Sequence, residues 1–82
     1  MKRNRVAGKF VVCLWNEDYE ASLQLLKIYE RIPDARGERD GLIRVVDEDR
    51  EGYLYPAEWF LALDLSRGVE KTLESVAEMQ SD

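Results

Sequence analysis

GLIRVVDEDREGYLYP, residues 41–56, holds two incompatible folds in one pattern. Leu42 to Asp47 and Gly52 to Tyr55 are short runs rich in β-branched, aliphatic and aromatic residues, and the charged DEDRE centre between them reads as the tip of a β-hairpin. The overlapping DEDREGYLYPAE, residues 47–58, also fits the calcium-loop formula, with Asp47 first, Asp49 third, Gly52 sixth and Glu58 twelfth. Glu51 at the fifth position is longer than the usual Asp or Asn, and Tyr55 and Pro56 occupy the ninth and tenth. A calcium loop needs a helix on its entering side, whereas GLIRVV has Gly41 and three β-branched residues there. Such loops also tend to come in pairs, and the chain holds no second copy. The hairpin is therefore the predicted structure, with residues 47–51 as a solvated turn whose like charges discourage edge pairing. A calcium-binding element using Asp47, Asp49, Glu51 and Glu58 is the alternative.

Working outward, FVVCLW (10–15) is β-branched and aromatic, with Phe10, Val12 and Leu14 alternating against Val11, Cys13 and Trp15. That pattern predicts a central strand covered on both faces. NEDYEASLQLLKIYERIP fits two periods: Ala21, Leu25, Ile28, Tyr29 and Ile32 recur at helical spacing, while Leu26, Ile28 and Ile32 share one face of a strand. Propensity alone favours helix there. PDARGERDG (33–41) reads as a polar connection rich in turn formers. After Pro56, AEW has room for one helical turn, and FLALDL (60–65) reads as a final strand. SRGVEKTLESVAEMQSD is a helix in which Ser66 caps the start and Val69, Leu73, Val76 and Ala77 form one apolar stripe. The stripe packs on the sheet in the simpler reading and takes a partner in the sharper one.

Eighty-two residues without a repeat or linker make one domain with a small core. The longest apolar run is six residues, too short for a membrane span, and MKRNRVAGKF lacks the apolar stretch of a secretory signal; both predict a cytoplasmic chain. Cys13 is the one cysteine and there is no histidine, so no intrachain disulfide, zinc site or catalytic imidazole can be assembled. No nucleophile has a base near it, and the carboxylates fall in turns or on a helix face. The chain is expected to be no enzyme and to need no cofactor. Lys2, Arg3, Arg5 and Lys9 put +4 on the first ten residues of a chain of net charge −5, which leaves −9 over the rest. The acidic body repels nucleic acid.

The order of strand, long excursion, strand, turn, strand, one-turn helix and strand resembles a Src-homology-3-like barrel from Phe10 to Leu65. The chain is also similar to small uncharacterised bacterial proteins, frequent in cyanobacteria, that pair a KxYxxxPD segment with a D-Y-L-Y-P segment. The matching stretches are KIYERIPD (27–34) and GYLYPAEWF (52–60). The resemblance implies a mainly β fold with a barrel over 9–65; the charge and residue patterns add a basic flexible arm over 1–8 and a C-terminal amphipathic helix and tail over 66–82. The resemblance also implies an aromatic groove, to which CLWNEDY contributes Trp15 and Tyr19 and YPAEW contributes Tyr55, Pro56 and Trp59. The tryptophan-pair position holds Leu42 and Ile43 instead, which removes the flat surface on which a P-x-x-P ligand stacks. The expected function is thus an accessory module that binds an unknown protein partner through one barrel face. It is expected to bind neither nucleic acid nor membrane and to be a monomer or weak dimer.

Overall fold

The computed structural model describes residues 9–79, the last three by their backbone alone. The basic arm expected over 1–8 and the tail beyond 79 lie outside the described residues. The elements in chain order are β1 (Phe10–Cys13), β2 (Ile28–Ile32), α1 (Ala35–Arg39), β3 (Leu42–Val46), β4 (Gly52–Pro56), a 3₁₀ turn (Ala57–Trp59), β5 (Phe60–Ala62) and α2 (Arg67–Met79). The protein is mainly β, with one antiparallel sheet in the order β4-β3-β2-β1-β5 and a C-terminal helix.

The hairpin is present, with Val46 opposite Gly52 and Ile43 opposite Tyr55. Its tip closes on itself: the Arg50 N–H donates to the Asp47 carbonyl at 2.9 Å and the Asp47 N–H to the Glu51 carbonyl at 3.2 Å. The left-handed residue of the turn is Arg50, at φ 66. Gly52 serves close approach instead: a Cβ there would lie 3.2 Å from both Arg44 Cγ and Ile32 Cδ1.

One open choice is resolved and one expectation is corrected. NEDYEASLQLLKIYERIP is a turn-rich excursion followed by β2, because Ile28–Ile32 is needed between β1 and β3, and that pairing outweighs helix propensity. PDARGERDG contains a helix, α1, whose start is capped where Asp34 Oδ1 accepts the Gly37 N–H at 2.9 Å. Asp34 also accepts from Arg44 Nε at 2.8 Å, which fastens α1 to β3. The Gly37 amide and, after it, the Arg44 guanidinium hold the Asp34 carboxyl below its ordinary range.

The sheet edges β4 and β5 are joined by only the three residues of the 3₁₀ turn. Laid flat, five strands would separate their edges by about 19 Å at roughly 4.8 Å per gap. A three-residue 3₁₀ turn rises about 6 Å. The sheet is therefore strongly curled. The turn is tied to both sides, since Ala57 N–H donates to Gly41 O at 2.9 Å and Leu14 N–H to Trp59 O at 2.8 Å. The curl encloses Val11, Cys13, Tyr29, Ile43, Val45, Tyr55 and Phe60, with Leu23 of the excursion sealed among them. Phe10, Val12, Ile28, Ile32, Val46 and Leu61 point to the outer face. α2 meets that face through Leu73, across a groove of about 790 Å³ that Phe10, Ile28 and Val46 also line. Its stripe is engaged only in part, because Val69 and Val76 stay exposed. Ser66 caps it as expected, accepting the Val69 N–H at 3.2 Å, and Lys9 ties it down by bridging Glu74 at 2.9 Å and Glu30 at 3.5 Å.

Candidate functional site

Three of the five aromatic-face residues meet. The Tyr19 ring lies 5.7 Å edge-on from Tyr55 and 5.6 Å from Trp59, and Tyr55 and Trp59 are 6.1 Å apart, with Phe60 beneath Tyr55 at 6.1 Å. Each segment that brings them together has a local cause. The excursion folds back where Tyr19 N–H donates to Asn16 O and Leu23 N–H to Tyr19 O, and the Asn16 amide clamps Leu23 O at 2.9 Å. Leu23 anchors it in the core. The 3₁₀ turn then sets Trp59 beside the end of β4.

Their exposure differs from the expected groove. Tyr19 is 47% exposed and Trp59 half-buried, but Tyr55 retains only 5% and is a core residue. Pro56 ends β4, half-buried. Trp15 is exposed and makes no ring contact with the described residues; its carbonyl accepts from Cys13 Sγ at 3.3 Å. Ile43, at the tryptophan-pair position, faces the core.

Tyr55 is turned inward by a polar contact that the residue pattern did not suggest. Its hydroxyl donates to Asp47 Oδ2 at 2.6 Å, and Asp47 is only 3% exposed. The other oxygen, Oδ1, accepts the Asp49 N–H at 2.9 Å, so this carboxylate is occupied on both sides. A second pair stands beside it. Tyr29 donates its hydroxyl to Glu48, Lys27 Nζ pairs with the same carboxylate at 2.7 Å, and the Gln24 N–H donates to the Tyr29 oxygen at 2.8 Å. Glu48 N–H donates to Ser22 O at 2.9 Å, which joins the hairpin tip to the excursion. Burial first, and then the hydrogen bond to a carboxylate, push both Tyr29 and Tyr55 well above the ordinary phenol value. Burial alone would raise the Glu48 carboxyl, but the bonds from Lys27 and Tyr29 outweigh it and hold it below its usual range.

The solvated turn expected over 47–51 is therefore wrong for Asp47 and Glu48, which are structural acceptors. A signal for it exists: by strand alternation Ile43, Val45 and Asp47 all point inward. The frame that the calcium alternative requires is not there, since strands, as the hairpin reading predicts, and not helices flank the loop. Asp47 is committed, Glu51 accepts from the Tyr53 hydroxyl at 2.9 Å, and Glu58 stands on the 3₁₀ turn. Among the described residues no group of three or more acidic or cysteine side chains is placed to hold a metal ion.

The fold and the site define a small, mainly β protein with a five-stranded antiparallel sheet, a C-terminal helix and an aromatic cluster at one end. No protein-family model, curated protein or solved structure matches the chain. Among the described residues no helix is long and apolar enough to cross a membrane.

Proposed function

We propose that the chain is a small acidic binding module of the Src-homology-3-like barrel type, holding a partner protein against Tyr19 and Trp59. The strand order, the long excursion after β1 and the 3₁₀ turn before β5 support the barrel reading. Tyr55 moves from the surface to the support beneath it. The observation that carries the function is the charge around an aromatic pair, the exposed Tyr19 and the half-buried Trp59. Glu17, Asp18 and Glu20 flank Tyr19, Glu58 precedes Trp59, and none is in an ion pair with a described residue. Residues 10–26 and 51–66 contain no lysine or arginine to offset them. A cationic segment of a partner fits this face, with its charge on the carboxylates and its side-chain stem on the rings.

Titrating isotope-labelled protein with short arginine-containing peptides tests it. Amide shifts confined to 16–20 and 57–60, weakening with salt and lost in Tyr19→Ala and Trp59→Ala, are expected. Shifts spread over the whole surface, or none at millimolar peptide, would end the proposal. The same titration with calcium should leave Asp49 and Gly52 unmoved; saturable shifts there would favour the calcium element instead.

A further inference from the structure

Positive and negative charge are set apart in this chain. Residues 1–9, MKRNRVAGK, hold four of its twelve lysines and arginines and no acidic residue, whereas the stretches that build the Tyr19–Trp59 face hold acids and no cation. The sheet fixes how far apart the two lie. Leu14 N–H donates to Trp59 O at 2.8 Å and Leu63 N–H to Phe10 O at 3.0 Å, so β5 runs beside β1 from Trp59 to the end where Lys9 stands. The span from Lys9 to Leu14 along the strand is about 17 Å at roughly 3.4 Å per residue. Arg5 and Arg3 precede Lys9 by four and six residues. Their chain contours are up to about 14 and 21 Å at roughly 3.5 Å per residue, so both side chains can reach the face. The route follows β5, which ends the sheet among the described residues, and passes the exposed Asp64. Glu30 and Glu74, the carboxylates beside Lys9, are already paired with it.

We propose, resting on the reading of that face as a cation site, that its resident occupant is residues 1–8 of the same chain, which a partner's cationic segment must displace. Lys2, Arg3 and Arg5 meet Glu17, Asp18, Glu20 and Glu58, three positive charges against four negative ones. Arginine suits both halves of the face, because its planar guanidinium pairs with carboxylates and stacks on rings. A tether this short presents the arginines at an effective concentration on the order of millimolar. A partner competes against that concentration, so the arm lowers its apparent affinity by the fraction of molecules already occupied. Segments no better than the arm are held off, and those with more arginines or a closer fit displace it. The arm thus sets a threshold for binding.

The test compares the full chain with Lys2→Gln/Arg3→Gln/Arg5→Gln by amide spectra, alone and with the same arginine-containing peptides. A control, Arg36→Gln/Arg39→Gln/Arg67→Gln, removes three exposed cations elsewhere, so that each triple takes the net charge from −5 to −8. Without peptide, the arm variant should differ from the full chain at 16–20 and 57–60. The difference should vanish in high salt and persist on dilution, as a contact within one chain does. The arm variant should then bind peptide roughly two- to tenfold tighter than the control. Equal affinity in the arm variant and the control, with peptide shifts still at 16–20 and 57–60, overturns the arm and leaves the face standing. Arm-dependent shifts spread over the whole surface, or lost on dilution, also overturn it. No peptide shifts in any of the three proteins ends the reading of the face and this proposal with it.

Discussion

Asp47 and Tyr55 show how one side-chain contact fixes which residues are surface and which are core. The carboxylate is buried, and its two oxygens are taken by the Tyr55 hydroxyl and the Asp49 amide. Tyr55→Phe removes one donor and leaves a desolvated oxygen unpaired, at a cost of about 1–3 kcal/mol. Urea unfolding should show that loss with an unchanged slope; a wild-type midpoint would mean that water reaches Asp47 freely. The same geometry sets an alkaline limit. Unfolded, Tyr29 and Tyr55 titrate near 10; folded, burial and their carboxylate partners keep them protonated to higher pH. The folded state then binds more protons, so their contribution is complete below about pH 10. Above it, stability falls by about 1.4 kcal/mol per pH unit for each tyrosine. Tyrosinate absorbance should therefore show Tyr29 and Tyr55 ionising together with unfolding, and a smooth titration of both in a folded protein would contradict this. The aromatic identities of the site were legible in the chain because Tyr19, Tyr55 and Trp59 are large residues in recognisable surroundings. Their depth was not, since it depends on cross-strand register and on a carboxylate eight residues away.

At the scale of elements, local signals sufficed where an element makes its own pattern. The β3–β4 hairpin, the 3₁₀ turn after Pro56 and the Ser66-capped α2 are each dictated by neighbouring residues. β2 was not, because Ile28 and Ile32 suit a helix face as well as a strand face. Only the presence of β1 on one side and β3 on the other decides between them. α1 was invisible for a different reason: ARGER has no apolar stripe, and its one buried residue is Gly37. The turn from α1 into β3 has a clearer local cause. Gly41 adopts φ +80, with nothing within 4 Å of where a Cβ would stand, so a side chain there meets backbone strain and no clash. Gly41→Ala should cost about 1–2 kcal/mol for the left-handed conformation alone. Gly41→Asn should recover part of it, since asparagine tolerates that region. Equal unfolding midpoints for the glycine and alanine proteins would show that the turn relaxes out of the left-handed region.

Across the whole molecule, stability should divide between a curled sheet and a helix attached to it at few points. The 3₁₀ turn links the two sheet edges and bonds to Gly41 on one side and Leu14 on the other, so neither edge can open without disturbing the enclosed core. Among the described residues α2 has no comparable closure. Its Leu73 is half-buried, Val69 and Val76 are exposed, and Lys9 supplies the ion pair with Glu74 that holds it to the sheet. Local opening is cheapest where buried apolar contacts are few. Native-state hydrogen exchange should therefore find β1, β2 and β3 amides protected to one common level, that of global unfolding, with α2 amides exchanging from a lower one. Lys9→Ala tests the attachment. Exposed pairs contribute no more than about 1 kcal/mol, so α2 protection should fall by up to that amount while the sheet amides stay where they were. If the sheet loses protection with the helix, α2 is part of the same cooperative unit, and the outer face beneath it contributes to the core more than its exposure indicates.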